Sequence, residues 1–186
     1  ELTVSSFFIC TAVSLLLGVG TALVAMYRAH TTQSFAVTLA ILPAVVQAVH
    51  SFEGTVLFTR DTHGPDYLQT QEGRMLPVEH CIRGTYGWEI REEIAELLES
   101  GPIDKPTFGS ETLGKVLKEF NKSEIIDSIT LVGLCTDICV ISNAMLLKAF
   151  LPEVPIMVDS LCCAGVTPES HERALEAMKA CQIEVL

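Results

Sequence analysis

Asp61-Thr62-His63, followed by Glu72 and His80, forms a set of side chains able to grip a metal ion. An Asp-x-His pair just past a strand projects both side chains to one side of an extended backbone. A further ligand then returns from a long loop. Imidazole with carboxylate suits a borderline divalent ion such as Zn²⁺, Fe²⁺ or Mn²⁺. The same pattern also reads as a strand-end Asp capping a turn beside a hydrogen-bonded His. Lys105 opens the stretch Lys105-Pro106-Thr107-Phe108-Gly109-Ser110, where Pro106 biases it to an extended conformation. Taken alone, such a lysine is ordinarily solvated. Cys139 lies in Gly133-Leu134-Cys135-Thr136-Asp137-Ile138-Cys139-Val140, where a strand ends and a helix begins. A thiol at a helix N-terminus has its thiolate favoured by the dipole and free N–H groups, which predicts a depressed pKa and a nucleophile. The other reading is a small buried hydrophobe.

These three stretches need a scaffold that brings strand ends together. The sequence predicts strands over Gly54–Arg60, Ser128–Leu134, Pro155–Ser160 and Ile183–Leu186. Helices are predicted over Arg91–Ser100, Ser110–Phe120, Ile138–Phe150 and Pro168–Ala180, with Ser110 and Thr167 as N-caps. Strands alternating with helices imply a parallel sheet covered on both faces, with sites at the strands' C-terminal ends.

The chain has 186 residues, enough for one domain with a full core, and 49% apolar residues exclude a disordered chain. A net charge of -11 repels phosphate backbones and argues against a nucleic-acid partner. Mean hydropathy is +0.40, and the excess has one source. In residues 1–50 the only formally charged side chains are Glu1 and Arg28, so the whole net charge falls after residue 50. We therefore expect two pieces: an atypical apolar segment, 1–50, and an α/β domain, 51–186. Ser6–Tyr27 carries no charge and is long enough, as a helix, to span a bilayer, with Arg28 and His30 flanking it. A buried core helix or strand is the alternative for this run. The seven cysteines (Cys10, Cys81, Cys135, Cys139, Cys162, Cys163 and Cys181) are odd in number and do not read as a disulfide framework. This implies a reducing cytosol for residues 51–186. Cys135, Cys162, Cys163 and Cys181 read more readily as small buried hydrophobes, with Cys162–Cys163 after a strand end, where the pair could instead line a cavity, and Cys181 packing at a helix end.

From about Gly54 to Leu186 the chain resembles the nicotinamidase branch of the isochorismatase-like cysteine hydrolases. The resemblance is carried by FTRDTH, YLQTQEG, LPVEHCIRGTYGWEI, KPTFGS, LVGLCTDICV and DSLCCAGVTPESH. It implies a three-layer α/β/α sandwich around a parallel sheet, and hydrolysis of nicotinamide to nicotinate and ammonia through a thioester. By position, Cys139 matches the nucleophile and Lys105 the catalytic lysine. Asp61, His63 and His80 match the metal ligands, and Glu72 matches a ligand found in some members. The family's cis peptide falls at Leu134–Cys135, and the backbone N–H groups of Cys135 and Cys139 match the oxyanion hole. Trp88 and Phe108 are candidates for an aromatic pocket, and equally for ordinary packing. The implied cofactor is a divalent metal, Zn²⁺ first, then Fe²⁺ or Mn²⁺. The implied partner is a small-molecule substrate, nicotinamide; the apolar run separately allows a membrane contact through residues 6–27, and a second copy of the chain is a further option.

One departure matters. The family's third catalytic member is an aspartate at the end of the first strand, a spacing that falls near Leu15–Gly20. No Asp precedes Asp61, so turnover is expected to be impaired. Residues 1–49, especially YRAHTTQSFAVTLAILPAVVQAV, are similar to the opening of a bacterial multi-pass membrane family of uncharacterised function. A junction of two unrelated coding sequences is the simplest account, with residues 12–20 available to fill the slot of the first strand. The alternatives to a nicotinamidase are a related cysteine hydrolase acting on another small amide, or a non-catalytic, membrane-tethered metal-binding chimera.

Overall fold

The computed structural model describes residues 4–11 and 40–186. Among the described residues, six parallel strands form one sheet in the order β3-β2-β1-β4-β5-β6. They are β1 Val4–Thr11, β2 Thr55–Asp61, β3 Ile103–Lys105, β4 Ile125–Leu134, β5 Ile156–Ala164 and β6 Glu184–Val185. The helices are α1 (residues 40–51), α2 Gln71–Met75, α3 Glu92–Ala95, α4 Glu111–Ser123, α5 Ile141–Phe150 and α6 Pro168–Ala180.

Successive strand residues face opposite layers, and the core divides accordingly. Ile129 and Leu131 of β4 pack with Leu113 and Leu117 of α4, Ala144 and Leu147 of α5, and Leu175 and Met178 of α6. Val132 and Phe58 point the other way, toward Leu42, Val45 and Val49 of α1 and Ile94 of α3. Two helical layers therefore enclose the sheet, and the expected α/β/α sandwich is the observed fold. The Ser110 hydroxyl accepts the Leu113 N–H at the start of α4, and a Thr167/Ser170 capping box opens α6. Both predicted N-caps hold.

The first strand departs from expectation. Ser6–Thr11, the start of the expected membrane helix, are strand residues paired with β2 on one side and β4 on the other. Their sequence, rich in Phe and Ile, suits a buried central strand as well as it suits a bilayer. Val4–Thr11 fill the slot assigned to residues 12–20, and those residues lie outside the described part. Among the described residues, no helix is long and apolar enough to cross a membrane.

Other corrections are local. The helix expected over Arg91–Ser100 is regular only over Glu92–Ala95, because its bonds then tighten to three-residue spacing at Ile94–Leu97 and Ala95–Leu98. β5 runs on to Ala164 and so contains Cys162 and Cys163, which face opposite layers of the core. Cys181 caps α6 and is exposed rather than packed. β3 and α1 were not anticipated.

The strand order reverses between β1 and β4. In such sheets a crevice opens at the C-terminal edge of the strands near that reversal. Asp61 ends β2, Lys105 ends β3 and Leu134 ends β4, so the three chemical stretches arrive at one edge.

Candidate active site

β4 ends at Leu134, and a cis peptide joins Leu134 to Cys135, as the resemblance implied. The chain then makes a single wide turn, Thr136–Val140, in which the Val140 N–H donates to the Cys135 carbonyl at 3.0 Å. Wide turns of this kind recur at functional sites. This one replaces the first turn of the helix predicted from Ile138, and it seats Cys139 in the protein interior.

Lys105 is 1% exposed, so its ammonium needs partners. It has three: Asp61 Oδ1 at 3.0 Å, the Thr107 carbonyl at 3.2 Å and Cys139 Sγ at 3.4 Å. The solvated reading of this lysine is thereby excluded. Burial works against its charge, yet Cys139 and Asp61 hold its pKa above the ordinary lysine value. Burial pushes the Cys139 thiol up, while the Lys105 ammonium and a hydrogen bond from the Cys135 backbone pull it down. Burial prevails, so the depressed pKa expected of a helix N-terminus is not realised. Cys135 is likewise pushed up by burial, to about 12.

Asp61 joins this pair to the metal-type cluster. While Oδ1 meets Lys105, Oδ2 faces His63 Nε2 at 3.8 Å. Donor atoms of Asp61, His63 and His80 all lie within 4.8 Å of one another. Glu72 Oε1 is 3.6 Å from His63 Nε2 and 3.5 Å from His80 Nε2, facing the same space. Among the described residues, His63 Nε2 is buried without a hydrogen-bond partner, a costly arrangement that a bound cation would relieve. Burial lowers the His63 pKa, although Asp61 and Glu72 oppose this, and the neutral ring is the form that ligates. His80 Nδ1 lies 3.0 Å from the Val78 carbonyl; because a carbonyl only accepts, Nδ1 carries the proton and Nε2 is free to bind. Two imidazoles with carboxylates fit Zn²⁺, Fe²⁺ or Mn²⁺.

The supporting residues were harder to foresee. Tyr67 is fully buried against both imidazoles, with ring centroids 4.8 Å from His63 and 4.9 Å from His80. Its hydroxyl donates to the Leu76 carbonyl at 3.0 Å. A Cβ at Gly73 would overlap the Tyr67 carbonyl, so the turn into α2 passes there only with glycine. Asn143, one helical turn beyond Cys139, accepts the Ser110 N–H at 2.8 Å and ties the lysine loop to α5. None of these residues carries a motif of its own; the chance to find them lay in their sequence proximity to residues that do. Trp88 is half-buried with Arg60 stacked on its ring at 3.5 Å, and Phe108 is 44% exposed.

A profile of the isochorismatase domain matches residues 21–186. The chain belongs to the isochorismatase family. Its fold is shared with several solved structures. A nicotinamidase/pyrazinamidase from Bacillus subtilis is 24% identical, with a TM-score of 0.75, covering 97% of this chain and 98% of its own. A pyrazinamidase from Pyrococcus horikoshii, solved with zinc, is 20% identical, with a TM-score of 0.67 and 98% of each chain covered. A protein from L. infantum, solved with nicotinate, is 14% identical, with a TM-score of 0.71, covering 98% of this chain and 92% of its own. No curated protein matches the sequence. The profile match begins at residue 21, inside the apolar segment set apart from charge distribution alone.

Proposed function

We propose that this isochorismatase-family chain is a cysteine amidohydrolase that acts on nicotinamide through a thioester on Cys139. The observation that carries the reading is the buried bridge of Lys105 Nζ between Asp61 Oδ1 and Cys139 Sγ, at 3.0 and 3.4 Å. Family members solved as nicotinamidases and pyrazinamidases, one with zinc and one with nicotinate, support the substrate class.

The chemistry follows from these groups. The Cys139 thiol attacks the carboxamide carbon, forming a C–S bond as its proton passes to the amide nitrogen. The Lys105 ammonium steadies the sulfur's charge as it develops. The N–H groups of Cys135 and Cys139 are the candidates to receive the carbonyl oxygen's charge. The tetrahedral intermediate collapses as the C–N bond breaks, and the nitrogen leaves with the proton as ammonia. Water then cleaves the thioester, releasing carboxylate and restoring the thiol. A metal held by Asp61, His63 and His80, with Glu72, would supply a Lewis-acid anchor for a ring nitrogen of the substrate. Phe108 is proposed to border the ring; Trp88, the other candidate, has one face covered by the Arg60 guanidinium and is not assigned to the substrate.

Impaired turnover belongs to the same proposal. No Asp precedes Asp61 in the sequence, and Asp61 already meets Lys105 and faces His63. Without a dedicated acid–base group, the rate is expected to fall about 10²- to 10⁴-fold below a complete triad. The test is ammonia release from nicotinamide, pyrazinamide and benzamide by Zn²⁺-loaded protein, with Cys139→Ala as control. Preference for the ring-nitrogen amides, abolished in Cys139→Ala, is expected. Equal rates on benzamide would point to another small amide. Tight Zn²⁺ binding without ammonia release from any of them would favour a non-catalytic protein.

A further inference from the structure

One residue away from Asp61 and Lys105, on the other face of the same strands, lies a second charged cluster. Arg60 pairs with Asp104 on one rung of β2 and β3, and Asp61 pairs with Lys105 on the next. Strand alternation sends the two pairs to opposite faces. Arg60 Nε donates to Asp104 Oδ1 at 2.9 Å, and Arg83 Nη1 donates to Asp104 Oδ2 at 2.8 Å. The Arg60 guanidinium lies 3.5 Å from the centre of the Trp88 ring, and that of Arg83 lies 5.5 Å away. The Trp88 indole N–H donates to Thr62 Oγ1 at 2.9 Å, and the Thr62 backbone N–H donates to the Lys105 carbonyl at 2.9 Å. The network therefore joins β2, β3 and the loop that returns from His80.

β3 needs such help. It is three residues long and, among the described residues, pairs only with β2, at the end of the strand order. So short a ladder specifies register weakly, and a slip of one residue would turn Lys105 away from Cys139. We propose that Arg60, Asp104, Arg83 and Trp88 form a clamp whose role is to position Lys105 on Cys139. These are positioning residues that act through the lysine. Trp88 takes part by holding Arg60 flat on one ring face. The proposal rests on Cys139 and Lys105 as the reacting pair, and not on the identity of the amide.

The test compares wild type with Asp104→Asn, Arg60→Met, the double variant and Trp88→Phe, all Zn²⁺-loaded. Lys115→Ala, which breaks the exposed pair with Glu111, serves as a control remote from the clamp. Iodoacetamide alkylation of Cys139 is followed against pH, together with kcat and KM for whichever carboxamide is turned over. Asp104→Asn should slow alkylation at pH 7.5 about tenfold, matching a rise of about one unit in the apparent thiol pKa. kcat should fall in parallel with KM little changed, because the lost interaction serves the reacting groups. The double variant should be no worse than either single, as expected of partners in one interaction. Trp88→Phe keeps every charge and an aromatic face but loses the indole N–H bond to Thr62, and should show a smaller loss of the same sign. Alkylation profiles that coincide with wild type in Asp104→Asn and Trp88→Phe, with only the melting temperature lowered, would overturn the clamp. Should Asp104→Asn not fold, the Trp88→Phe profile decides alone, and an unshifted one overturns the proposal. Wild type that releases no ammonia from any carboxamide counts against the proposed function, whereas the alkylation comparison still judges the clamp.

Discussion

Replacing Lys105 with methionine removes the ammonium from a site that is 1% exposed, while nearly preserving its volume. The Nζ–Sγ separation is 3.4 Å. At an effective dielectric constant of about 20, unit charges that far apart attract by about 5 kcal/mol, equal to three to four pKa units on the thiol. Asp61 adds to the effect. Its carboxylate, 3.0 Å from the missing ammonium, would be left to repel a thiolate. Local rearrangement and water entry reduce the total, so Cys139 alkylation at pH 8 should fall by on the order of 10²- to 10³-fold. The assay is iodoacetamide labelling with tryptic digestion, which yields the peptide 123–148 containing both Cys135 and Cys139. Fragmentation separates the two sites. Circular dichroism and a melting curve establish that the variant is folded. Labelling of Cys139 in folded Lys105→Met that follows the wild-type pH profile would refute the reasoning, because the ammonium would then contribute nothing to the thiolate.

Three further outcomes are expected. Glu72→Gln should weaken Zn²⁺ binding about tenfold and His63→Ala by far more, measured by competition with a chromophoric chelator, because His63 Nε2 is the buried orphan and Glu72 the flanking carboxylate. Leu131→Ala, at a fully buried position of β4, should cost about 2–5 kcal/mol in urea unfolding. The Cys135 and Cys162 thiols are pushed up to about 12, in both cases chiefly by burial, so the folded chain keeps protons that the unfolded chain, near pH 8.5, releases. Their contribution to stability is complete below about pH 8.5 and declines as pH rises toward 12, by at most about tenfold in the unfolding constant per pH unit per thiol. Urea midpoints measured from pH 8 to 10.5 should fall, and Cys162→Ala should make the fall shallower.

Much of the candidate site is legible in the sequence. Asp61, His63 and His80 converge as their types and the resemblance implied, with Glu72 beside them, and Cys139 meets Lys105. Those signals are local: an Asp-x-His past a strand, a cysteine where strand becomes helix, a cap before an amphipathic run. The first strand could not be told from a membrane segment by sequence, for a physical reason. A central strand of a parallel sheet is buried on both faces, so its residues read as a continuous apolar run, as a membrane segment does. β3 escaped notice because three residues carry no periodicity. The direction of the Cys139 shift escaped because helix position is local, whereas burial depends on everything packed above it.

By itself, the order of amino acids determined which groups could react, because side-chain chemistry and short-range spacing are written directly in it. Only the tertiary structure decided that Val4–Thr11 lie between β2 and β4. It also decided that Arg60–Asp104 and Asp61–Lys105 occupy successive rungs, and that one buried ammonium touches both a carboxylate and a sulfur. Each of these is a pairing between residues tens of positions apart. Strand register and burial create such pairings, and neither is a property of any short stretch of chain.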